Sequence, residues 1–373
     1  MLLGMFAAVL SLALFALQAP AQALANPDQL YDNAVQAQLR GDYVSAIRDY
    51  RSLLQVRPQM VEARVNLGAS LAHVGKFDDA IAEYRAALPL MQDKTGVLFN
   101  IALAYYKKGD WKDAREQFTP LAKARPADVR IAILLGDTDL RLNESAAAVD
   151  LLTPLEEANA QNPDFDYVFA SALISTGRRR DGIQRAEKAA EIANGADAYL
   201  MAGTALLQIN EFEKARNDLD KALNLDPKLP AAVYSLAGTA RDKTGDPQAA
   251  ETAFRQALAL DPNDFDANLY LGAILYKRRQ MDEARPLLEH ALSLNPKSSM
   301  ARYEDAMLKS TAGQLDAAAQ ELEALVKDDP QWLEPHVELA SLYYKLKRPA
   351  DGAAQREIVD SITAEQQKQG PKN

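Results

Sequence analysis

Apolar residues recur along the chain in paired blocks of about a dozen residues, each with the spacing of an amphipathic helix. The pattern is clearest from Phe265 to Pro296, where the two blocks break near Arg279–Gln280. The same pattern returns 34 residues upstream, ending at Pro262, and 34 residues downstream, ending at Pro330. A fixed period of this length predicts an array of helical repeats.

Ten repeats in this register cover the chain from Pro27 to Thr363 and a little beyond. The repeats begin 34 residues apart, except for one interval of 33 and one of 35 that cancel each other. The predicted first residues are Pro27, Val61, Thr95, Val129, Pro163, Ala196, Ala231, Phe265, Ser299 and Leu333.

Small residues mark two places in every repeat. The eighth and the twentieth residues are always alanine or glycine, as at Gly272 and Ala284. Two antiparallel helices approach closely only where neither side chain is bulky, so we expect these places to face each other at the helix crossing. A bulky residue at the twenty-fourth place flanks the contact in eight repeats. These residues are Tyr50, Tyr84, Phe118, Leu152, Leu219, Phe254, Leu288 and Leu322.

Glycine and proline residues indicate where helices end or bend within the repeats. Six repeats carry glycine near the end of the first helix, where a left-handed C-cap is favoured. Pro120 and Pro154 fall inside predicted second helices, which they should bend or break. The fifth repeat has Ala186 at its twenty-fourth place and three consecutive arginines, 178–180, at its turn. We therefore expect the array to be irregular or locally flexible between about Pro154 and Asn194.

The motif residues are best preserved in the third repeat, as Leu98, Ile101, Ala102, Tyr105, Gly109, Trp111, Ala114, Phe118, Leu121 and Pro126. This pattern resembles the tetratricopeptide repeat family. The resemblance covers residues 26–366. It implies an all-α fold, a right-handed superhelical solenoid of about ten helical hairpins. It further implies that the first helices line a concave groove in which a protein or peptide is held.

The composition of the chain limits the classes of function that we expect. The formal net charge is −10 and the isoelectric point is near 5.0, so nucleic acid and anionic lipid surfaces should repel the molecule. Cysteine is absent, and the three histidines are scattered. We find no motif for catalysis, metal ligation or cofactor binding, so we expect no enzymatic activity, no small-molecule cofactor and no nucleic-acid partner.

The first 25 residues read as an export signal. Residues 1–17 are almost wholly apolar, and small residues at Ala23 and Ala25 fit a cleavage site after Ala25. No lysine or arginine precedes the apolar run, which leaves an uncleaved inner-membrane anchor as the alternative. Either arrangement predicts a periplasmic or secreted array, with membrane contact only through the N-terminal segment if it is retained. We expect residues 367–373 to form a disordered tail.

The resemblance assigns the groove to places two, five, nine, twelve and thirteen of each first helix. The aromatic residues at these places are Tyr31, Phe99, Tyr106, Tyr167, Tyr276, Tyr303 and Tyr344. The cationic residues are Lys107, Arg141, Lys243, Lys277 and Lys345. Together they suit an extended peptide with acidic side chains. In the alternative interpretation, the lysines complement helix C-termini and the tyrosines pack between repeats.

These observations predict a non-catalytic scaffold for a protein or peptide partner, in the bacterial cell envelope. An accessory subunit of an envelope enzyme or of an export or assembly complex, with catalysis on another chain, is the alternative. A structural self-assembler is a third possibility.

Overall fold

The computed structural model describes residues 26–369. The predicted export signal at residues 1–25, and residues 370–373 of the predicted tail, lie outside the described residues. Between residues 26 and 369 the chain forms twenty α-helices and three short 3-10 turns, without any β-strand. None of these helices is both long enough and apolar enough to cross a membrane.

The described residues fall into two compact units, which we call the N-terminal module (26–155) and the C-terminal module (156–369). The N-terminal module contains α1 (Pro27–Leu39), α2 (Tyr43–Val56), α3 (Val61–His73), α4 (Phe77–Ala87), α5 (Thr95–Lys108), α6 (Trp111–Ala124), α7 (Val129–Arg141) and α8 (Ser145–Leu152). The C-terminal module contains α9 (Pro163–Ser175), α10 (Arg179–Ala193), α11 (Ala196–Gln208), α12 (Phe212–Leu225), α13 (Ala231–Lys243), α14 (Pro247–Leu260), α15 (Phe265–Lys277), α16 (Met281–Leu294), α17 (Ser299–Thr311), α18 (Leu315–Asp328), α19 (Leu333–Lys345) and α20 (Pro349–Gln369).

Consecutive helices pack as antiparallel pairs, one pair per repeat. All ten first helices begin at the residue predicted from the repeat register. Within each module, the second helix of a repeat also packs against the first helix of the next repeat. The apolar side chains of a helix are thereby buried against its hairpin partner and against the neighbouring repeat. This packing confirms the prediction of an all-α array of helical hairpins.

Each hairpin turns through one residue with left-handed backbone, always the fifteenth of its repeat. Six of these residues are the predicted glycines, with φ from 77° to 85°. The other four are Asn143, Asn210, Arg279 and Lys347, with φ between 59° and 62°. A residue with a side chain is strained in left-handed backbone, and asparagine is strained least. Arg279 in repeat 8 and Lys347 in repeat 10 therefore form the two most strained turns.

The contact between the two helices of a repeat differs from the prediction that its eighth and twentieth residues face each other. A β-carbon placed on Gly68, Gly238 or Gly272, all at the eighth place, would come within 2.6–2.7 Å of the bulky twenty-fourth side chain. The expected approach of the twentieth place to the eighth occurs at Gly182, where an added β-carbon would lie 2.8 Å from the Ala170 carbonyl oxygen. The eighth-place glycines therefore make room for an aromatic ring or a leucine.

Two prolines at the same place have different effects. α6 continues through Pro120 to Ala124, whereas α8 ends after eight residues. A 3-10 turn at Thr153–Leu155, containing Pro154, follows α8. The predicted irregularity is thus confirmed near Pro154.

The irregularity does not extend to Asn194 as expected, because α9 and α10 are regular helices of 13 and 15 residues. Phe165 and Phe169 on α9 are buried. At the other end of the module, α20 continues through residue 369. Residues 353–369 contain no glycine or proline, so the helix runs past the predicted start of the tail at 367.

Candidate functional site

The first helices of successive repeats lie side by side and form a common surface in each module, which we call the first-helix face. α3 contacts α5 in the N-terminal module, and α9, α11, α13 and α15 contact one another in sequence in the C-terminal module. This is the surface to which the sequence assigns the binding residues. Their surroundings differ between the aromatic and the basic side chains.

Tyr106 joins the third repeat to the fourth. Its hydroxyl donates a hydrogen bond to Asp137 Oδ2 on α7, at 2.6 Å. The ring meets Trp111 and Phe118 edge-on, with centroids 5.4 and 6.5 Å away. Burial, together with the Asp137 carboxylate, raises the pKa of Tyr106 to about 12. The side chain is therefore fixed by packing between repeats.

The two basic residues predicted in the N-terminal module differ from each other. Arg141 lies over the Trp111 ring, 5.4 Å from its centroid, and its Nε is 3.4 Å from Asp137 Oδ2. Lys107 is exposed at the C-terminal end of α5. It borders a cavity of about 150 Å³ between α3 and α5 that also contacts His73 and Leu103.

The fifth-place aromatics of this module pack inside their own repeats. The Tyr31 ring meets Tyr50 edge-on at 6.3 Å. The Phe99 ring meets Phe118 in the same way at 6.0 Å. Both side chains are partly buried, so each presents only part of its ring on the first-helix face.

Tyr167 borders an apolar cavity that the sequence interpretation missed. The cavity has a volume of about 280 Å³ and lies between α9 and α11, lined largely by Ile174, Leu200 and Met201. Leu200 and Met201 occupy the fifth and sixth places of repeat 6. In the sequence, apolar residues at these places cannot be distinguished from residues of the hydrophobic core. The side chain of Tyr167 is 38% exposed.

The aromatic residues of the last three repeats also make inter-helix contacts. The Tyr276 hydroxyl lies 2.8 Å from Thr311 Oγ1 and donates to the Met307 carbonyl at 3.2 Å. Tyr303 packs against Trp332 with ring centroids 5.4 Å apart.

Tyr344 covers Gly352, so that a β-carbon on the glycine would lie 2.8 Å from Tyr344 Cε2. Arg356 stacks on the same ring at 4.8 Å. Tyr106 and Tyr276 thus bond to the next repeat, whereas Tyr31 and Tyr344 pack within their own repeats.

The predicted lysines have a different environment. Lys107, Lys243, Lys277 and Lys345 are all exposed, each at the thirteenth place of its first helix. None of the four forms an ion pair with a described residue. They lie in the last turn of their first helices, where positive charge is favoured. We call these four lysines, one in the N-terminal module and three in the C-terminal module, the basic edge of the first-helix face.

A cluster of carboxyl groups on α17 and α19 was not predicted. Glu304 is only 8% exposed, and burial raises its pKa to about 7 although Lys277 opposes the shift. Burial and the nearby Glu304, Glu334 and Glu338 carboxylates raise the pKa of Tyr303. Glutamate occupies the sixth place of repeats 9 and 10, as Glu304 and Glu338. The sixth place was not among those that the sequence analysis assigned to the groove.

No group of three or more histidine, aspartate or glutamate side chains is arranged to hold a metal ion in the part of the chain that the structure describes. The contacts that the first-helix face offers are apolar, aromatic and singly charged.

This chain belongs to the tetratricopeptide repeat family. Family models described as "Tetratricopeptide repeat" match residues 31–93, 99–163 and 235–299, and a second such model matches residues 196–229. The first of these models alone covers more than half of the chain.

The chain is similar to several curated proteins. Anaphase-promoting complex subunit 3 of Schizosaccharomyces pombe is 23% identical over 293 residues, covering 76% of this chain and 44% of that protein. Cellulose synthase operon protein C of Xanthomonas axonopodis pv. citri is 26% identical over 328 residues, covering 84% and 19%. Type IV pilus assembly protein PilF of Pseudomonas aeruginosa is 31% identical over 182 residues, covering 48% and 71%. The chain spans less than half of the length of the first two relatives.

Among solved structures, the APC/C heterotetramer Cut9–Hcn1 contains a chain with the same fold. Its TM-score is 0.51 at 12% identity, and the match covers 91% of this chain and 88% of that chain. The family match and this structural likeness define the fold as an array of tetratricopeptide repeats.

Proposed function

We propose that the chain is a non-catalytic scaffold of the bacterial cell envelope that holds a protein or peptide on its first-helix face, the concave side of a tetratricopeptide array. The observation that carries this proposal is the basic edge. Lys107, Lys243, Lys277 and Lys345 are exposed and without ion pairs among the described residues. Many arginines of the chain, by contrast, are paired, as Arg302 is with Glu321 at 2.6 Å. Unpaired lysines in register can receive acidic side chains of a partner.

Charge reversal tests this proposal. Replacing the four lysines of the basic edge by glutamate should abolish capture of the partner from solubilised envelope and reduce the salt dependence of binding. The matched control replaces Lys112, Lys123, Lys228 and Lys327 by glutamate, since these exposed lysines lie outside the first helices. Equal capture by both quadruple variants would contradict the assignment of the basic edge.

The envelope location is part of the proposal. The apolar run at residues 1–17, followed by Ala23 and Ala25, supports export with cleavage. The resemblance to the pilus assembly protein and to the cellulose synthase operon protein supports an envelope setting. Intact-mass measurement of the protein from a periplasmic fraction should show the loss of residues 1–25. Recovery of the full-length mass from the membrane fraction would favour the anchored form, and recovery from the cytosol would exclude export.

A second candidate function is an accessory subunit of an envelope enzyme or export complex, with catalysis on another chain. The similarity to cellulose synthase operon protein C over 84% of this chain favours it. Affinity capture separates the two candidates. A single enzyme recovered in fixed ratio supports the accessory subunit, and recovery of several non-enzymatic partners supports the general scaffold.

A further inference from the structure

Carboxylates without partners gather around Tyr303 in the C-terminal module. Glu304, Glu334 and Glu338 all lie close enough to raise the pKa of the Tyr303 hydroxyl. No ion pair or hydrogen bond from a described residue reaches any of the three carboxylates. Trp332 packs against the Tyr303 ring at 5.4 Å and completes the cluster. We call these five side chains the acidic aromatic cluster.

Two acidic groups on second helices of the module form ion pairs. Glu321 on α18 lies 2.6 Å from Arg302, and Glu283 on α16 lies 2.8 Å from Arg255. Because helix N-termini favour acidic residues, Glu334 in the first turn of α19 has a structural reason to be there. Glu304 and Glu338 lie beyond that first turn, so the helix dipole does not account for them.

Glu304 is the strongest indication of a missing counter-charge. Its side chain is more than nine-tenths buried. Its carboxylate oxygens are nevertheless not among those sealed from solvent, so a ligand can reach them. A buried carboxylate is normally paired or bonded, and it is disfavoured where it is not. Lys277 influences it electrostatically without forming an ion pair.

We propose that the acidic aromatic cluster binds a basic side chain, lysine or arginine, of the partner polypeptide. A cation placed there gains an ion pair with Glu304 or Glu338 and lies against the Tyr303 or Trp332 ring. This inference rests on the proposed function and sharpens it. The partner carries a basic residue for this cluster and acidic residues for the basic edge, so its bound segment is of mixed charge.

The test uses fluorescence anisotropy with the full chain and three labelled twelve-residue probe peptides. The peptides share one sequence of glycine and alanine with four variable positions, filled by lysine, by acetyl-lysine or by glutamate. The lysine peptide should bind about tenfold more tightly than the acetyl-lysine peptide. The double variant Glu304→Gln/Glu338→Gln should lose that preference.

A charge-matched control keeps the test specific. Asp316→Asn/Glu357→Gln removes the same two charges from exposed positions on the second helices α18 and α20, and it should bind as the unaltered chain does. Circular dichroism melts of both double variants exclude unfolding as the cause of any loss.

Two results would overturn the inference. One is equal binding of the three peptides, or tighter binding of the glutamate peptide, by the unaltered chain. The other is undiminished capture of the natural partner by Glu304→Gln/Glu338→Gln, which would leave the scaffold function intact. Failure to capture any partner with the unaltered chain would instead contradict the proposed function itself.

Discussion

Leu288 packs directly over Gly272, so that a β-carbon on the glycine would lie 2.7 Å from both Leu288 Cγ and Cδ2. Gly272→Ala should therefore destabilise the protein by about 1 kcal/mol, because overpacking outweighs the gain in helix propensity. Gly272→Leu should cost roughly 3 kcal/mol or more. Thermal and chemical denaturation measure both values.

The control for this prediction is Gly96→Ala. Gly96 lies in helix α5, and nothing is within 4 Å of an added β-carbon. That substitution should stabilise the protein by about 0.5–1 kcal/mol. A Gly272→Leu variant that unfolds at the same temperature as the unaltered chain would contradict the packing described for the eighth hairpin.

The left-handed turns at Arg279 and Lys347 predict stabilising substitutions. Both side chains are exposed, and both residues have φ near 60°. Arg279→Gly and Lys347→Gly should each stabilise the protein by about 0.5–1 kcal/mol, since relief of strain exceeds the added freedom of the unfolded chain. Gly245→Ala, at the same place with φ of 82°, should destabilise by about 1 kcal/mol. Loss of stability in both glycine variants would refute the assignment of strain.

The Tyr106 hydroxyl should contribute to stability through Asp137. Tyr106→Phe removes a hydrogen bond of 2.6 Å to a carboxylate, with an expected cost of about 1–2 kcal/mol. Tyr31→Phe is the matched control because Tyr31 is also partly buried and its main contact is the Tyr50 ring. Equal free energies of unfolding for the two variants would show that the hydrogen bond from Tyr106 to Asp137 does not stabilise the protein.

Stability should decline as the pH rises from about 4 to about 7, in part through Asp218. Burial and the nearby Glu187 carboxylate raise the pKa of Asp218 from 3.8 to about 6. The folded chain therefore binds this proton more tightly than the unfolded chain, and the stabilisation present below pH 3.8 is lost as the pH rises through 6. Asp218→Asn should flatten this dependence and raise stability at pH 8, by roughly 1–3 kcal/mol. Urea denaturation at several pH values measures the effect, and an unchanged slope in the variant would contradict it.

The repeat starts and turns could be predicted because they depend on local sequence. A period of 34 residues, a glycine that tolerates left-handed backbone and a proline that ends a helix each act over a few residues. The two prolines at the same place of repeats 3 and 4 show the limit of such rules. α6 continues through Pro120 and α8 ends before Pro154, and the proline itself does not distinguish the two cases.

The surroundings of the binding residues depended on contacts between repeats and could not be predicted in the same way. Tyr106 and Asp137 are 31 residues apart, and their hydrogen bond requires the observed stagger of α5 against α7. Periodicity placed Tyr106 on the first-helix face without showing that Asp137 would accept a hydrogen bond from its hydroxyl. The burial of Glu304 has the same origin, because α15 and α19 flank its helix on either side.

Because each helix packs chiefly on its immediate neighbours in sequence, nearly every contact in a module links residues less than two repeats apart. Such local contacts favour rapid folding that can start in any hairpin and spread outward. They also allow an outer hairpin to open while its neighbours stay closed. Amide hydrogen exchange along each module would then be graded, fastest in the outer repeats and slowest at the centre.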